Sequence, residues 1–355
     1  MSEQPTPSPH RRRPRYSGTH PRKFDQKYKE QNPDKFPDHQ QHVRSQGRTP
    51  AGSHVPVLMN EVLTAIAPKP GQRVVDCTLG YGGHALEIAR RLGPTGVLIG
   101  LDIDESQLAR TRERLTAIAT AEPLARLALH HTNFAGLPKT LAAESIEQCD
   151  GILADLGVSS MQIDDPSRGF SYKHDGPLDM RMSPSAARTA AELLRTMTEP
   201  QLAEALRELG DEPLAELVAS AIVSQRQRAP ITRTRELVRI IDGVHARNRS
   251  RIAPDDQRAQ PASRTFQALR MLVNDELSRL RSLLRVAPLA LAPGGRLVII
   301  SFHSGEDRIV KHALRDGVSA GIYATCSDEP IRPDPTELRD NPRAAPARLR
   351  WAIRA

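Results

Sequence analysis

Arg73-Val74-Val75-Asp76-Cys77-Thr78-Leu79-Gly80-Tyr81-Gly82-Gly83-His84 is the stretch on which the fold turns. Its adjacent valines read as a buried strand, and Ala85 to Leu92 continues with helical spacing. Between them, the glycines let backbone come close to a ligand and leave the helix's first N–H groups facing it. Working outward, Val97 to Leu101 reads as a second strand ending at Asp102, Ser106 to Ile118 as a helix, and Arg126 to His130 as a third strand. Gly151 to Ala154 is a fourth strand, ending at Asp155. Strands alternating with helices predict parallel βαβ units, hence an α/β fold with a doubly wound, Rossmann-like sheet.

The alternation then breaks. From about Met161 to Ala262 a turn-rich loop leads into helices near Glu199–Leu209, Leu214–Gln227 and Arg233–Ile241, which reads as a helical insertion. Apolar residues spaced by three or four predict one long helix from about Thr265 to Leu291. A turn at Pro293-Gly294-Gly295 and a central strand Arg296 to Phe302 follow, with a last strand at Leu349–Ile353. The expected divisions are a tail at 1–53, a core domain at 54–162 and 263–355, and a mostly helical insertion at 163–262.

Composition narrows the function. The 355 residues carry a net charge of +8. Residues 1–53 hold 11 Lys/Arg against 5 Asp/Glu, and the remainder 39 against 37, so the body is close to neutral. The tail has too few aliphatic residues to offset its ordering entropy and reads as disordered; phosphate contact and simple solubility account for its charge equally. Aromatic residues at 3% argue against a stacking platform for single strands. No apolar run reaches the roughly 18 residues of a membrane span, so the expectation is a soluble, cytoplasmic protein with no membrane partner. Cys77, Cys149 and Cys326 lack ligand spacing, so neither a disulfide framework nor a metal site is predicted.

Asp102 stands 22 residues after Gly80, where an acid commonly holds the ribose hydroxyls of an adenosine cofactor. By spacing alone a nicotinamide dinucleotide fits almost as well. The loop is not GxGxxG, however, and it begins with Asp76, which would repel a pyrophosphate but can contact an aminoacyl ammonium. That favours S-adenosylmethionine. Asp155, at a strand end beside the crevice, either faces the methyl group and the incoming substrate or caps its own turn. In the first role it suits an amine acceptor, whose lone pair a hydrogen bond to a carboxylate helps localise. The loop from Arg168 to Met182 carries Phe170 and Tyr172 beside Arg168, Lys173 and Arg181. It either stacks an extruded base or packs on its own aromatics. His303 and Asp307 are candidate acid–base groups, with helix capping led by Ser304 as the equal alternative. No GxSxG elbow and no Pro-Cys occur, so neither a serine hydrolase nor a carbon-5 cytosine methyltransferase is indicated.

These stretches, with His54-Val55-Pro56-Val57-Leu58, Asp155-Leu156-Gly157-Val158-Ser159-Ser160, Arg264-Thr265-Phe266-Gln267-Ala268-Leu269-Arg270, Ser301-Phe302-His303-Ser304 and Asn341-Pro342-Arg343-Ala344, resemble the bacterial ribosomal RNA small-subunit methyltransferase H (MraW) family. The resemblance covers about His54 to Arg354 and leaves the basic tail outside the family pattern. It implies methylation of the exocyclic N4 amine of a decoding-region cytosine in 16S rRNA, with the assembled small subunit as partner. It places S-adenosylmethionine against Gly82, Gly83, His84, Asp102, Phe134, Asp155 and Gln162, with Asp155 also the candidate catalytic residue. Arg168, Phe170, Tyr172, Arg181, Arg264 and His303 are the candidate substrate contacts. Homodimers occur among such enzymes. The chain departs from the family at Gly305, usually leucine, at Ala345-Pro346, usually Arg-Ser, and at Gln260, commonly histidine.

Overall fold

The computed structural model describes residues 56–184, 186, 188–254 and 260–355, so the tail expected at 1–53 lies outside the described residues. Among them, seven strands form one sheet in the order β3-β2-β1-β4-β5-β7-β6. The strands are β1 (Arg73–Asp76), β2 (Val97–Asp102), β3 (Arg126–His131), β4 (Cys149–Asp155), β5 (Leu291–Ser301), β6 (Tyr323–Cys326) and β7 (Arg348–Arg354). The first five run parallel, and β7 is inserted antiparallel between β5 and β6. The chain leaves β1 toward β2 and β3, then returns to the other side of β1 as β4. The carboxyl ends of β1 and β4 therefore flank the switch point, where an open α/β sheet has its crevice.

Neighbouring residues on each strand face opposite ways, and the two faces have separate cores. Val75, Ile99, Ile152 and Ile299 pack under α4 (Leu137–Ala143), α11 (Glu276–Ala290) and α12 (Ser304–Ser319). Val74, Leu98, Leu153 and Val298 pack under α1 (Met59–Ile66), α2 (Gly83–Leu92) and α3 (Glu105–Ala119). Both faces being covered explains why the strands read as continuous apolar runs rather than alternating ones.

After α5 (Ser160–Asp164) come α6 (Ala190–Thr196), α7 (Glu199–Gly210), α8 (Ala215–Arg228) and α9 (Thr234–Arg247). They close a third core with Leu194, Leu206, Val218, Ile222, Leu237 and Ile241 buried together. Phe266 and Leu269 of α10 (Pro261–Asn274) also belong to this core, so the helical unit extends beyond the expected boundary at 262.

The single helix expected from 265 to 291 is two. Asp275 sits at φ 49° between α10 and α11, and the Asn274 side chain accepts from Met182 N at 2.7 Å and donates to Met180 O at 2.8 Å. Apolar spacing continues across the break, which is why periodicity missed it. The expected turn at Pro293-Gly294-Gly295 is an irregularity inside β5, whose pairing jumps from Cys149↔Leu291 to Gly151↔Arg296. Strand β6 was not anticipated; with only four residues it has no alternation to read.

Candidate active site

A cavity of about 510 Å³ opens at the switch point, within the range of small-molecule sites. Backbone bonds hold its floor: Cys77 N donates to Leu153 O at 2.8 Å, Leu79 N to Leu101 O at 2.9 Å and Leu156 N to Ile300 O at 2.9 Å. Asp155 N donates to Thr78 Oγ1 at 2.7 Å, and Asp76 Oδ1 accepts from Thr78 N at 3.0 Å. Asp76 is thus buried as a brace for Thr78 and is absent from the cavity wall, which corrects its expected contact with an aminoacyl group.

Asp102 lines the cavity and ties two loops together, accepting from Gly80 N and from Asp104 N, each at 2.8 Å. Gly83 and His84 line it at the start of α2, and Pro56 closes over them. A Cβ at Gly83 would come within 2.3 Å of Pro56 Cγ, so only glycine fits. Gly82 stands behind the wall at φ 73°, with Thr111 Cγ2 2.9 Å from where a Cβ would be; its role is to turn the chain into α2. Phe134 follows β3 in a single turn and faces the same space. Gln162 completes a capping box with Ser159 and donates to Asp104 Oδ2 at 3.2 Å.

Asp155 has the most unusual surroundings. Its Oδ1 is buried with no hydrogen-bond partner, and its Oδ2 lies 3.9 Å from His84 Nδ1. Burial pushes its carboxyl up to about 8, with the charges of Asp76 and Glu306 adding to the effect. Burial likewise lifts Asp76 to about 7 and Asp102 to about 6, and lowers His84 to about 4. His84 is therefore neutral at pH 7. Because its Nε2 faces the Val57 carbonyl at 2.9 Å, that nitrogen carries the proton and Nδ1 is left as an acceptor toward Asp155.

The sign for stability follows from these directions. A carboxyl raised in the folded state binds more protons than the unfolded chain, so its contribution is lost as pH rises toward the folded value. His84 opposes this only below its ordinary 6.5. Between pH 6.5 and 8, Asp155 and Asp76 therefore dominate among these four groups, and the cofactor-free protein should lose melting temperature as pH rises. Calorimetric scans of wild type and Asp155→Asn check this: the variant should show the flatter profile, and equal slopes would refute the burial argument.

The expected substrate contacts are mostly committed elsewhere. Arg168 donates to Asp104 Oδ2 at 2.8 Å and to the carbonyls of Arg181 and Met182 at 3.0 and 2.9 Å. Arg181 forks onto Asp179 at 2.8 and 2.9 Å. Phe170 is buried in the helical core, and Tyr172 stands edge-on to Phe266 with ring centroids 6.0 Å apart. This loop is packed by its own aromatics and ion pairs, the plainer of its two readings. Arg264 is half-buried on α10, outside the cavity wall.

His303, not Ser304, caps α12: its Nδ1 accepts from Glu306 N at 3.3 Å. Its other nitrogen lies 3.2 Å from Glu306 Oε1, so it stands behind the cavity rather than in it. Asp307 turns away and pairs with Arg350 at 2.6 Å. Neither is placed for acid–base chemistry in the cavity. A Cβ added at Gly305 would lie 3.2 Å from His303 Nδ1, so the usual leucine would press on that cap.

Sequence reasoning missed two groups. Asp104 is a buried hub for Ser106, Gln162 and Arg168; burial alone would lift it, but those bonds and the Arg168 charge hold it below the ordinary carboxylate range. The Asp-x-Asp pattern Asp102-Ile103-Asp104 was the available signal. The second group, Arg270, Glu276 and Glu306, lines the same cavity as Asp155. Arg270 forks onto Glu276 with both bonds at 2.9 Å. Burial would lift Glu306 too, but bonding to His303, the charge of Arg270 and the Phe302 N–H keep it low.

S-adenosylmethionine suits this donor set. An unpartnered buried carboxylate oxygen at the end of β4, an acid at the end of β2 and a glycine-only approach at α2 fit its sulfonium, ribose and aminoacyl parts. Fold and site together define a Rossmann-like methyltransferase that uses S-adenosylmethionine. The chain belongs to the MraW methylase family, which it matches over residues 51–355. It is 43% identical over 350 residues to the ribosomal RNA small subunit methyltransferase H 1 of Lachnoclostridium phytofermentans, covering 98% of this chain and 93% of that one. It is 44% identical over 304 residues to the ribosomal RNA small subunit methyltransferase H of Koribacter versatilis, covering 85% and 94%. The first of these matches takes in most of residues 1–53, so the tail is not foreign to every relative, as the family pattern had suggested. No described helix is long and apolar enough to cross a membrane.

Proposed function

We propose that this chain methylates the exocyclic N4 amine of a cytidine in the decoding region of 16S rRNA, acting in the cytoplasm on the assembled small subunit. The relatives' names support the RNA class. The observation that carries the amine reading is the Asp155 carboxyl at the end of β4, which lines the cavity and whose Oδ1 has no hydrogen-bond partner.

When bound, S-adenosylmethionine supplies a methyl group on a positively charged sulfonium. Asp102 would hold its ribose, Phe134 would lie against its base, and Gly83 and His84 would receive its aminoacyl end. A positive charge brought beside Asp155 favours the ionised carboxylate. Asp155 then accepts the target amine's N–H and localises its lone pair for in-line attack, and the surplus proton leaves to water. Asp155 N–H on Thr78 fixes the backbone from which that side chain projects. A carbon-5 route would need a thiolate. Cys77 lines the cavity, but burial, with Asp76 and Cys149 adding, holds its thiol well above the ordinary range.

Methyl transfer from labelled S-adenosylmethionine to small subunits from a strain lacking this enzyme tests the reading. Mass spectrometry should find a new N4-methylated cytidine in the decoding region. Transfer to another atom or another RNA would overturn it.

A further inference from the structure

On the far side of the first turn of α12 lies a second concavity, of about 340 Å³, which methyl transfer does not use. Ser304, Arg308, Lys311 and His312 line it from one face of the helix, at the three- and four-residue spacing that makes neighbours. Arg332 and Arg348 close it from the adjoining segment and from β7.

Its charge is lopsided. Arg350 is neutralised by Asp307, with bonds of 2.6 and 3.2 Å, and it also donates to Asp328 O. That leaves Arg308, Lys311, Arg332 and Arg348 facing only Glu329, an excess of about three positive charges in one recess. Residues 54–355 carry an excess of only two, so the recess concentrates what the body otherwise spreads. Arg348 lines the recess, and its Nε is buried without a hydrogen-bond partner. A buried guanidinium N–H left unmet is costly, and an anionic oxygen would satisfy it.

The recess and the methyl-transfer cavity share a wall. Phe302 and Glu306 line the cavity, while Ser304 and Arg308 line the recess. Along the helix axis, Arg308 and Lys311 lie about 3 to 8 Å beyond Glu306. A strand whose base enters the cavity would carry its next phosphates across that turn.

The geometry points to this recess as the seat of RNA backbone phosphates flanking the target nucleotide, an inference that rests on the RNA reading above. Arginine forks and a lysine point charge suit phosphate oxygens, and such contacts set register without reading sequence. The recess thereby takes over the anchoring that the Arg168–Met182 loop, committed to its own ion pairs, does not supply.

The test uses the full chain and a short fluorescent RNA hairpin, with anisotropy followed across a salt series. Arg308→Glu/Lys311→Glu/Arg332→Glu should weaken binding by about 10-fold or more at about 0.1 M salt and flatten the dependence of log Kd on log salt by about two. Arg110→Glu/Lys139→Glu/Arg285→Glu, at exposed positions outside the recess, should change either quantity far less. S-adenosylhomocysteine affinity should be unchanged in both; if the first variant loses it, the Arg→Gln and Lys→Gln set replaces it. Wild-type affinity and slope in the recess variant, or an equal loss in the control, would overturn the proposal. Because the readout is binding, failure of methyl transfer to the small subunit would sink the functional reading separately.

Discussion

Asp155→Ala should lower turnover by about 100-fold or more, the range that one positioned polar group contributes. Its backbone will stay in place, because Asp155 N–H is held by Thr78 Oγ1 and not by its own side chain. Within the protein the carboxylate is poorly served: Oδ1 has no partner, and Asp76 and Glu306 repel it. Removing it should therefore leave the melting temperature unchanged or raise it, as at sites where function is kept against stability. The dissociation constant for S-adenosylhomocysteine should move by about tenfold or less, the worth of one hydrogen bond. Single-turnover methylation, calorimetric titration and a thermal scan together separate this from a folding defect. Near-normal turnover would remove Asp155 from the chemistry, and a fall in melting temperature would show that its side chain braces the fold.

What the sequence disclosed follows from what local patterns encode. Apolar runs between helical periods yielded six of the seven described strands and the parallel βαβ arrangement. The glycine loop, with acids at the ends of β2 and β4, located Asp102 and Asp155, because switch-point chemistry depends on strand ends. Phe134 and Gln162 came only through family resemblance, since neither sits at a spacing that marks it. The Arg168–Met182 loop shows the limit from the other side. Its aromatics and cations suit base stacking or self-packing equally in composition, and Phe266, nearly a hundred residues away, decides for packing. His303 and Asp307 were ambiguous for a similar reason: the partner that commits Asp307 is Arg350 on β7, 43 residues further along. Long-range pairing of this kind leaves no mark on either segment alone.

The Arg270–Glu276 pair, six residues apart across the helix break, carries the second large prediction. The two residues flank the break at Asp275, and their side chains are only 17% and 10% exposed. Arg270→Met would leave Glu276 without its fork and withdraw the positive charge that helps keep Glu306 ionised. Two carboxylates would then share a buried wall. Breaking a buried pair from one side costs about 3–5 kcal/mol, so chemical denaturation should show a loss in that range. Replacing both partners with apolar residues removes the stranded charge, so Arg270→Met/Glu276→Leu should recover most of the stability. It should not recover methylation, because the cavity wall would have lost two of the hydrogen-bonding groups it presents to the base. If the double variant regains full turnover, the pair is scaffolding alone. If the single variant is as stable as wild type, Glu276 is protonated in the folded protein and the pair is not ionic, which would also lift the electrostatic pressure argued for Glu306.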